Sequence, residues 1–219
     1  MRSILCAAHG GSEASTRMVW LPGAFHTPED FVDAGFDAAV RERGIALDLQ
    51  FVHLEHAHVG DRRGIARLAR EIIAPVRARG CPTIWLGGIS LGGFFALDYA
   101  ATQAGEWDGL CLLAPYLGNR LLITEISSAR NVAAWEPGPL AESDEERRIW
   151  RFIKTRSAQT RSAETRPLYL GFGRDDRFAH AHGLLAQMLP PDAVHVVPGG
   201  HDWRTWLTLW ERFLDSRFA

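Results

Sequence analysis

Short runs of β-forming residues alternate along this 219-residue chain with longer stretches whose apolar residues recur at helical spacing. The candidate strands are Ser3–Ala8, Met18–Leu21, Ala46–Val52, Thr83–Gly87, Gly109–Ala114, Pro167–Phe172 and Val194–Val197. The candidate helices are Phe31–Arg43, Gly64–Arg79, Leu91–Thr102, Ala179–Leu189 and Trp203–Phe213. Continuous apolar runs such as GLCLLA are typical of strands buried on both faces. The alternation predicts an α/β fold with a doubly wound, mostly parallel sheet flanked by helices.

Length and charge limit the kind of protein this is. A chain of 219 residues is expected to form a single domain over 1–219. Its net charge of −2 argues against a nucleic-acid or anionic-membrane binder, because both need a basic surface, and favours a small-molecule substrate. The sequence leaves the oligomeric state open.

The cysteines and the N-terminal region indicate the compartment. Cys6, Cys81 and Cys111 are far apart and show no Cys-x-x-Cys spacing, so neither a disulfide framework nor a zinc site is indicated. The first apolar run is too short for a secretory signal, and no stretch has the length of a membrane-spanning helix. We therefore expect an unprocessed cytoplasmic protein that does not bind membranes.

One segment, 116–166, interrupts the alternation with about fifty residues that contain no strand pattern. Ser143 and Glu146 have the spacing of a capping box, and a stripe of apolar residues follows, namely Ile149, Phe152 and Ile153. The segment is predicted to be a small lid insertion that contains a helix.

The stretch GISLGG at 88–93 places a serine where a predicted strand meets a predicted helix. Gly88, Ser90 and Gly92 match G-x-S-x-G, a pattern in which the serine occupies a sharp, strained turn with its hydroxyl exposed above the sheet edge. Glycine is expected on either side because side chains would collide where strand and helix converge. A serine that only caps the helix would fit the same residues.

A serine nucleophile needs a base within hydrogen-bond reach, and the base needs an orienting group. Asp176 and His201 follow Ser90 in the order Ser, Asp, His, each in a loop after the C-terminal end of a predicted strand. Open parallel sheets build their sites at that edge, so the three loops should converge there. Asp175 is an alternative to its neighbour, and Asp202 is expected to cap the last helix.

Four motifs together resemble the α/β-hydrolase superfamily over nearly the whole chain: LPGAF at 21–25, GISLGG at 88–93, GRDD at 173–176 and PGGHDWRTW at 198–206. The double glycine after the serine, with GGHDW and a second tryptophan three residues on, is most similar to the branch that includes esterase D-type and enterochelin-esterase-like enzymes. The resemblance implies an α/β-hydrolase fold and a carboxylesterase or thioesterase activity.

Residue by residue, the resemblance implies Ser90 as nucleophile, His201 as general base and then acid, and Asp176 as the carboxylate that orients the imidazole. The family spacing of glycine, two residues and aspartate selects Asp176 from Gly173. It also implies two backbone donors for the oxyanion, the N–H of Leu91 and a second from LPGAF, either Ala24 or Phe25. Family members often have His-Gly where this chain has Pro22-Gly23.

We therefore expect a serine hydrolase that cleaves a small ester or thioester through an acyl-enzyme, with no metal and no organic cofactor. An amidase or peptidase, a C–C hydrolase, an acyltransferase or a non-catalytic binding domain remain alternatives, since the same three residues fit each. Tyr116, Trp135 and Trp150 are candidate walls of the acyl site, although core packing is also consistent with them.

Several histidines and tryptophans are interpreted as structural. His53, His56 and His58 do not have the spacing of a metallohydrolase motif and are assigned to a loop. Surface positions are expected for His180 and His182. One face of the final helix carries three core anchors, Trp203, Trp206 and Trp210.

Overall fold

The computed structural model describes residues 1–8, 14–55, 62–159 and 166–218. Its strands are β1 Ser3–Cys6, β2 Thr16–Leu21, β3 Asp48–Val52, β4 Thr83–Ile89, β5 Gly109–Leu113, β6 Leu168–Gly173 and β7 Val194–Val197. Each predicted strand is present, with bounds that differ from the prediction by at most two residues. The buried strands β4, β5 and β6 have the largely apolar character expected of strands covered on both faces.

The helices are α1 Pro28–Asp33, α2 Phe36–Glu42, α3 Arg62–Leu68, α4 Ala74–Ala78, α5 Leu91–Thr102, α6 Arg120–Ser128, α7 Glu145–Gln159, α8 Ala179–Ala186 and α9 Trp203–Phe218. A π-helical turn, Ala69–Ile73, joins α3 to α4. The predicted helix over 31–43 is two helices, because Gly35 adopts φ 87° and interrupts the helical hydrogen bonding. None of the helices in the described ranges is long and apolar enough to cross a membrane.

The seven strands form one sheet in the order β1-β3-β2-β4-β5-β6-β7, in which only the β1–β3 pair is antiparallel. From β2 the chain moves to β3 on one side and then to β4 on the other, so the strand order reverses between β2 and β4. Leu21 at the end of β2 pairs with Gly88 near the end of β4. The loops that follow these two strands therefore begin side by side, at the point where open α/β sheets bind ligands.

Helices cover both faces of this sheet. On β4, Trp85 packs edge-on against Phe213 of α9, whereas a Cβ on Gly88 would touch Gly92 of α5. Since successive residues of a strand point to opposite faces, α5 and α9 lie on opposite sides of the sheet. The doubly wound prediction is confirmed.

An aromatic cluster fixes α9 to the sheet. Trp210 contacts Trp20 and Phe36, and its indole N–H donates to the carbonyl oxygen of Phe36 at 3.0 Å. Trp206 and Trp210 are buried and Trp203 is half-buried against the same cluster, which confirms that this helix face is a core anchor.

The segment between β5 and β6 contains α6, a 3-10 turn at Val132–Ala134 and α7, while 160–165 lie outside the described residues. The predicted capping box is wrong. Asp144 caps α7, since its Oδ1 accepts the backbone N–H of Arg147 at 3.0 Å, and Glu146 is directed instead toward Tyr116. Ile149 and Ile153 are buried as the stripe predicts.

Candidate active site

Ser90 lies directly between β4 and α5, with φ 51° and ψ −113°, a conformation that L residues rarely adopt. The glycines around it permit this turn. A Cβ on Gly88 would lie 2.4 Å from the carbonyl oxygen of Gly92, and a Cβ on Gly92 would lie 2.0 Å from that of Leu21. Both contacts are with backbone, which cannot move aside, so only glycine fits at either position. The steric reason inferred from the sequence is confirmed.

Two further loops bring their side chains to Ser90. The loop between β7 and α9 places His201 Nε2 at 2.9 Å from Ser90 Oγ. The loop between β6 and α8 places Asp176 Oδ2 at 2.7 Å from His201 Nδ1. A carboxylate accepts the proton of Nδ1, so Nε2 carries the lone pair and accepts the hydroxyl hydrogen of Ser90. The three side chains therefore form a continuous hydrogen-bonded chain.

The structure distinguishes between the two adjacent aspartates. Asp176 is 5% exposed and points to His201, whereas the side chain of Asp175 is exposed to solvent. A close approach of two loops produces this arrangement, since a Cβ on Gly173 would lie 2.2 Å from the carbonyl oxygen of Gly199. The N–H of Asp175 donates to the same Gly199 oxygen at 3.0 Å, which turns its side chain away from the site.

The surroundings of Asp176 favour its ionised form. Burial alone would raise its pKa, but the hydrogen bonds from His201 and from the backbone N–H of Phe178, at 2.8 Å, outweigh burial and hold the pKa below its ordinary value. A carboxylate that stays ionised keeps His201 in the tautomer with a proton on Nδ1. It also stabilises positive charge on the imidazole when Nε2 gains a proton.

The loop after β2 lies against the nucleophile. Gly23 is so close that a Cβ on it would lie 3.5 Å from the Cβ of Ser90, and the N–H of His26 donates to the carbonyl oxygen of Gly23 at 3.2 Å to close a turn. Ala24 and Phe25 occupy the middle of this turn, and Phe25 has φ 66°. Leu91 is the first residue of α5, where a backbone N–H has no acceptor within its own helix. Leu91 thus follows Ser90 directly, and Ala24 and Phe25 follow the glycine that lies against it.

The three aromatic residues predicted to line an acyl site lie in different surroundings. Tyr116 is at the site, because its N–H donates to the carbonyl oxygen of Ser90 at 2.8 Å. Trp135 and Trp150 are 3% and 0% exposed, and their indole N–H groups donate to Glu125 and to the carbonyl oxygen of Leu117. Neither tryptophan offers a surface to a ligand. Their large apolar area anchors the segment between β5 and β6 to the core instead.

The sequence does not identify two residues that surround the imidazole–carboxylate pair. Phe178 packs edge-on against His201, with ring centroids 5.3 Å apart. His182 is fully buried, although a surface position was predicted, and its Nε2 lies 2.9 Å from the carbonyl oxygen of Pro115. His180 is exposed, as predicted. Phe178 is the N-cap residue of α8 and His182 lies one turn into the helix, but no local pattern distinguishes that face of the helix from the other.

The histidines predicted to lie in a loop fall only partly within the described residues. His53 is described by the structure, while His56 and His58 lie outside the described residues. Within the described ranges, no three His, Cys, Asp or Glu side chains come together in a cluster able to hold a metal ion.

Two cavities, each of about 540 Å³, meet at Tyr116. The acidic cavity is lined by Leu91, Phe94, Ser143, Asp144, Glu145 and Glu146, together with Tyr116. The arginine cavity is lined on the other side by Asn119, Arg120, Ile123, Arg177, Phe178 and His180, among others. Cavities of this size are typical of small-molecule sites.

Solved structures provide the comparison with known proteins, since no protein-family model matches the sequence and no curated protein matches it significantly. A substrate-bound fluorophosphonate-binding serine hydrolase F (FphF) of Staphylococcus aureus has a TM-score of 0.67 at 13% identity, covering 97% of this chain and 90% of that one. A ferulic acid esterase has a TM-score of 0.62 at 16% identity, covering 93% of this chain and 84% of that one.

The apoenzyme of S-formylglutathione hydrolase (FrmB) from Staphylococcus aureus is also similar, with a TM-score of 0.60 at 15% identity, covering 92% of this chain and 80% of that one. At these identities the likeness is one of fold. The seven-stranded sheet, its helices on both faces and this likeness over nearly the whole chain show that the protein has the α/β-hydrolase fold.

Proposed function

We propose that this protein is a serine hydrolase that cleaves a carboxylic ester or thioester of a small molecule through an acyl-enzyme intermediate. The observation that carries the proposal is the continuous chain from Ser90 Oγ to His201 Nε2, at 2.9 Å, and from His201 Nδ1 to Asp176, at 2.7 Å. A serine capping a helix needs neither partner. The named neighbours on the same fold, which include serine hydrolases and an esterase, support ester hydrolysis.

The proposed reaction has two halves, acylation of Ser90 and hydrolysis of the acyl-enzyme. Ser90 Oγ attacks the carbonyl carbon while His201 Nε2 takes the hydroxyl proton, and Asp176 stabilises the resulting imidazolium. His201 then gives that proton to the leaving alcohol or thiol as the bond to the acyl carbon breaks. In the second half, His201 takes a proton from water, the water oxygen attacks the acyl-enzyme, and the proton returns to Ser90 as the acid leaves.

Each attack places negative charge on the former carbonyl oxygen, which needs preorganised donors. The N–H of Leu91, at the positive end of α5, is the first donor in this proposal. The second is the N–H of Ala24 or Phe25 in the turn that contacts Ser90. Both are backbone groups fixed by the ends of neighbouring strands, so they require no rearrangement when the charge develops.

The test is labelling and turnover at Ser90. A fluorophosphonate probe should attach to Ser90 of the native protein, and hydrolysis of acyl esters and thioesters of graded chain length should fall at least about 10⁴-fold in Ser90→Ala, because the nucleophile is lost. The chain-length series identifies the acyl group, and the ester-to-thioester ratio identifies the leaving group.

The matched control is Ser127→Ala. Ser127 is an exposed serine on α6 whose hydroxyl donates to the carbonyl oxygen of Ile123, and its loss should leave labelling unchanged. Full activity in Ser90→Ala, or labelling of the native protein at a residue other than Ser90, would refute the assignment.

A further inference from the structure

The two cavities that meet at Tyr116 differ in charge. Three carboxylates and no basic residue line the acidic cavity, whereas two arginines and no carboxylate line the arginine cavity. Each cavity includes a residue next to the proposed catalytic residues, since Leu91 of the acidic cavity follows Ser90 and Phe178 of the arginine cavity packs against His201. A substrate at Ser90 is therefore near lining residues of two cavities that have opposite formal charge.

The carboxylates of the acidic cavity are already engaged by the protein. Asp144 caps α7 and pairs with Arg147 at 3.1 Å, and Glu145 lies 3.9 Å from Arg148. Glu146 accepts hydrogen bonds from the Tyr116 hydroxyl, at 2.8 Å, and from the backbone N–H of Asn119, at 3.1 Å. All three carboxylates are thus engaged within the protein, and arginines of α7 partly compensate the charges of Asp144 and Glu145.

Within the described residues, no ion pair compensates the charges of the two arginines in the arginine cavity. Among the described residues, neither Arg120 nor Arg177 has a carboxylate partner, whereas Arg147 and Arg148 of α7 pair with Glu125 and Asp98. The guanidinium of Arg177 lies over the ring of Phe178, 4.9 Å from its centroid. Stacking of this kind leaves the N–H edge of a guanidinium free to bind an anion.

The arginine cavity also has an apolar wall. Ile123, Phe178 and Ala181 contribute to this wall, and the ring of Phe178 packs against the imidazole of His201. A ligand with a short apolar body and an anionic end would place the body on this wall and the charge at the arginines. Guanidinium groups bind carboxylate and phosphate groups through paired N–H···O hydrogen bonds.

We propose that the arginine cavity binds an anionic group of the ester substrate, so that the preferred substrate is an ester or thioester bearing a carboxylate or phosphate a few atoms from the scissile carbonyl. The inference rests on the proposed function, because it describes which substrate reaches Ser90. Either half of the ester could supply the anion, and the experiment separates the two sources.

The test compares matched pairs of substrates by kcat/KM. One pair carries the charge on the acyl half: 4-nitrophenyl hemiglutarate against 4-nitrophenyl pentanoate. The other carries it on the alcohol half: the butyrate ester of 4-hydroxybenzoate against that of 4-methylphenol. We expect a preference of roughly 10-fold or more for the anionic member of one pair, and a smaller preference as salt is raised.

The arginines should account for that preference. In the double variant Arg120→Gln, Arg177→Gln, the ratio of anionic to neutral kcat/KM should fall to about 1. The control is Arg79→Gln, since Arg79 precedes β4 and lies at the opposite edge of the sheet from Ser90, and its ratio should match that of the native protein.

The outcomes separate this inference from the proposed function. Hydrolysis of neutral esters with no anionic preference, or an anionic preference that the double variant retains, overturns the anion site and leaves the hydrolase intact. Absence of both hydrolysis and fluorophosphonate labelling overturns the hydrolase and the anion site together.

Discussion

At the scale of residues, the site combines one anion with two histidines that have different surroundings. Asp176 accepts hydrogen bonds from His201 and Phe178, and its pKa is lowered accordingly. His182 lies nearby, but burial outweighs the attraction of Asp176 and lowers its pKa to about 4. His182 is therefore neutral at neutral pH, and its Nε2–H donates to the carbonyl oxygen of Pro115. A neutral His182 adds no positive charge beside Asp176, which accepts hydrogen bonds from His201 and from the N–H of Phe178.

His182 should make the fold acid-sensitive. The unfolded chain binds a proton at this histidine near pH 6.5, while the folded protein binds it only near pH 4, so stability is complete above 6.5 and is lost as pH falls from 6.5 towards 4. This one group should cost about 2.5 kcal/mol between roughly pH 7.5 and 4.5. Urea unfolding at the two pH values measures the loss.

His182→Gln separates that contribution from the other acid-sensitive groups. Glutamine keeps an N–H donor for the carbonyl oxygen of Pro115 but does not titrate. The variant should therefore lose less stability than the native protein over the same pH interval. Equal losses in the two proteins would contradict the assignment.

At the scale of elements, the site depends on how closely α5 approaches the ends of β2 and β4. The turn at Ser90 brings the first residues of α5 against the carbonyl oxygens that end β2. The same approach brings the start of α5 close to Leu21 and Pro22, which lead into the turn that contains Ala24 and Phe25. A local distortion here would displace the nucleophile and the proposed oxyanion donors together.

We therefore expect Gly92→Ala to destabilise the folded protein strongly. Its Cβ would lie 2.0 Å from the carbonyl oxygen of Leu21, and we expect a loss of about 3 kcal/mol or more, or failure to fold. Chemical denaturation and fluorophosphonate labelling measure the effect.

Gly183→Ala is the matched control on another helix. Gly183 lies inside α8, where an added Cβ would meet no atom of the described residues within 4 Å. Alanine should therefore raise stability by about 0.5–1 kcal/mol through its better helix propensity. If both alanines had the same effect, the steric explanation of the elbow glycines would be wrong.

At the scale of the whole molecule, the segment between β5 and β6 is tied to the helix that carries the nucleophile. Asp98 of α5 accepts a hydrogen bond from Arg148 of α7 at 2.8 Å, and both side chains are largely buried. Burial raises the pKa of Asp98 even though Arg148 opposes this effect. The pair thus fixes the position of α7 at a considerable desolvation cost.

Breaking one side of this pair should cost more than replacing both. Asp98→Leu removes the buried carboxylate that pairs with the guanidinium of Arg148 and should lose about 3–5 kcal/mol, whereas Asp98→Leu with Arg148→Met should be close to neutral. A double-mutant cycle by urea unfolding measures the difference. Additive losses would show that the two side chains do not interact.

Much of the fold follows from local patterns in the sequence. Strand positions, the junction at Ser90 and the presence of histidine and aspartate after the ends of two strands depend on residue type and near neighbours, and each is found in the structure. Strands that are apolar on both faces are typical of a parallel sheet. The loops that form the site of such a sheet follow the C-terminal ends of its strands and therefore lie at one edge. Convergence of the three side chains was therefore predictable.

Local residue patterns left open which of two neighbouring residues takes each role, and the tertiary structure decided it. Asp176 rather than Asp175 faces His201, where the loops at Gly173 and Gly199 pack together, and Asp144 rather than Ser143 caps α7. Burial of Trp150 and the opposite charges of the two cavities depend likewise on segments far apart in the chain. Local propensity specifies an element, but which of its side chains are buried depends on distant residues that the local pattern does not contain.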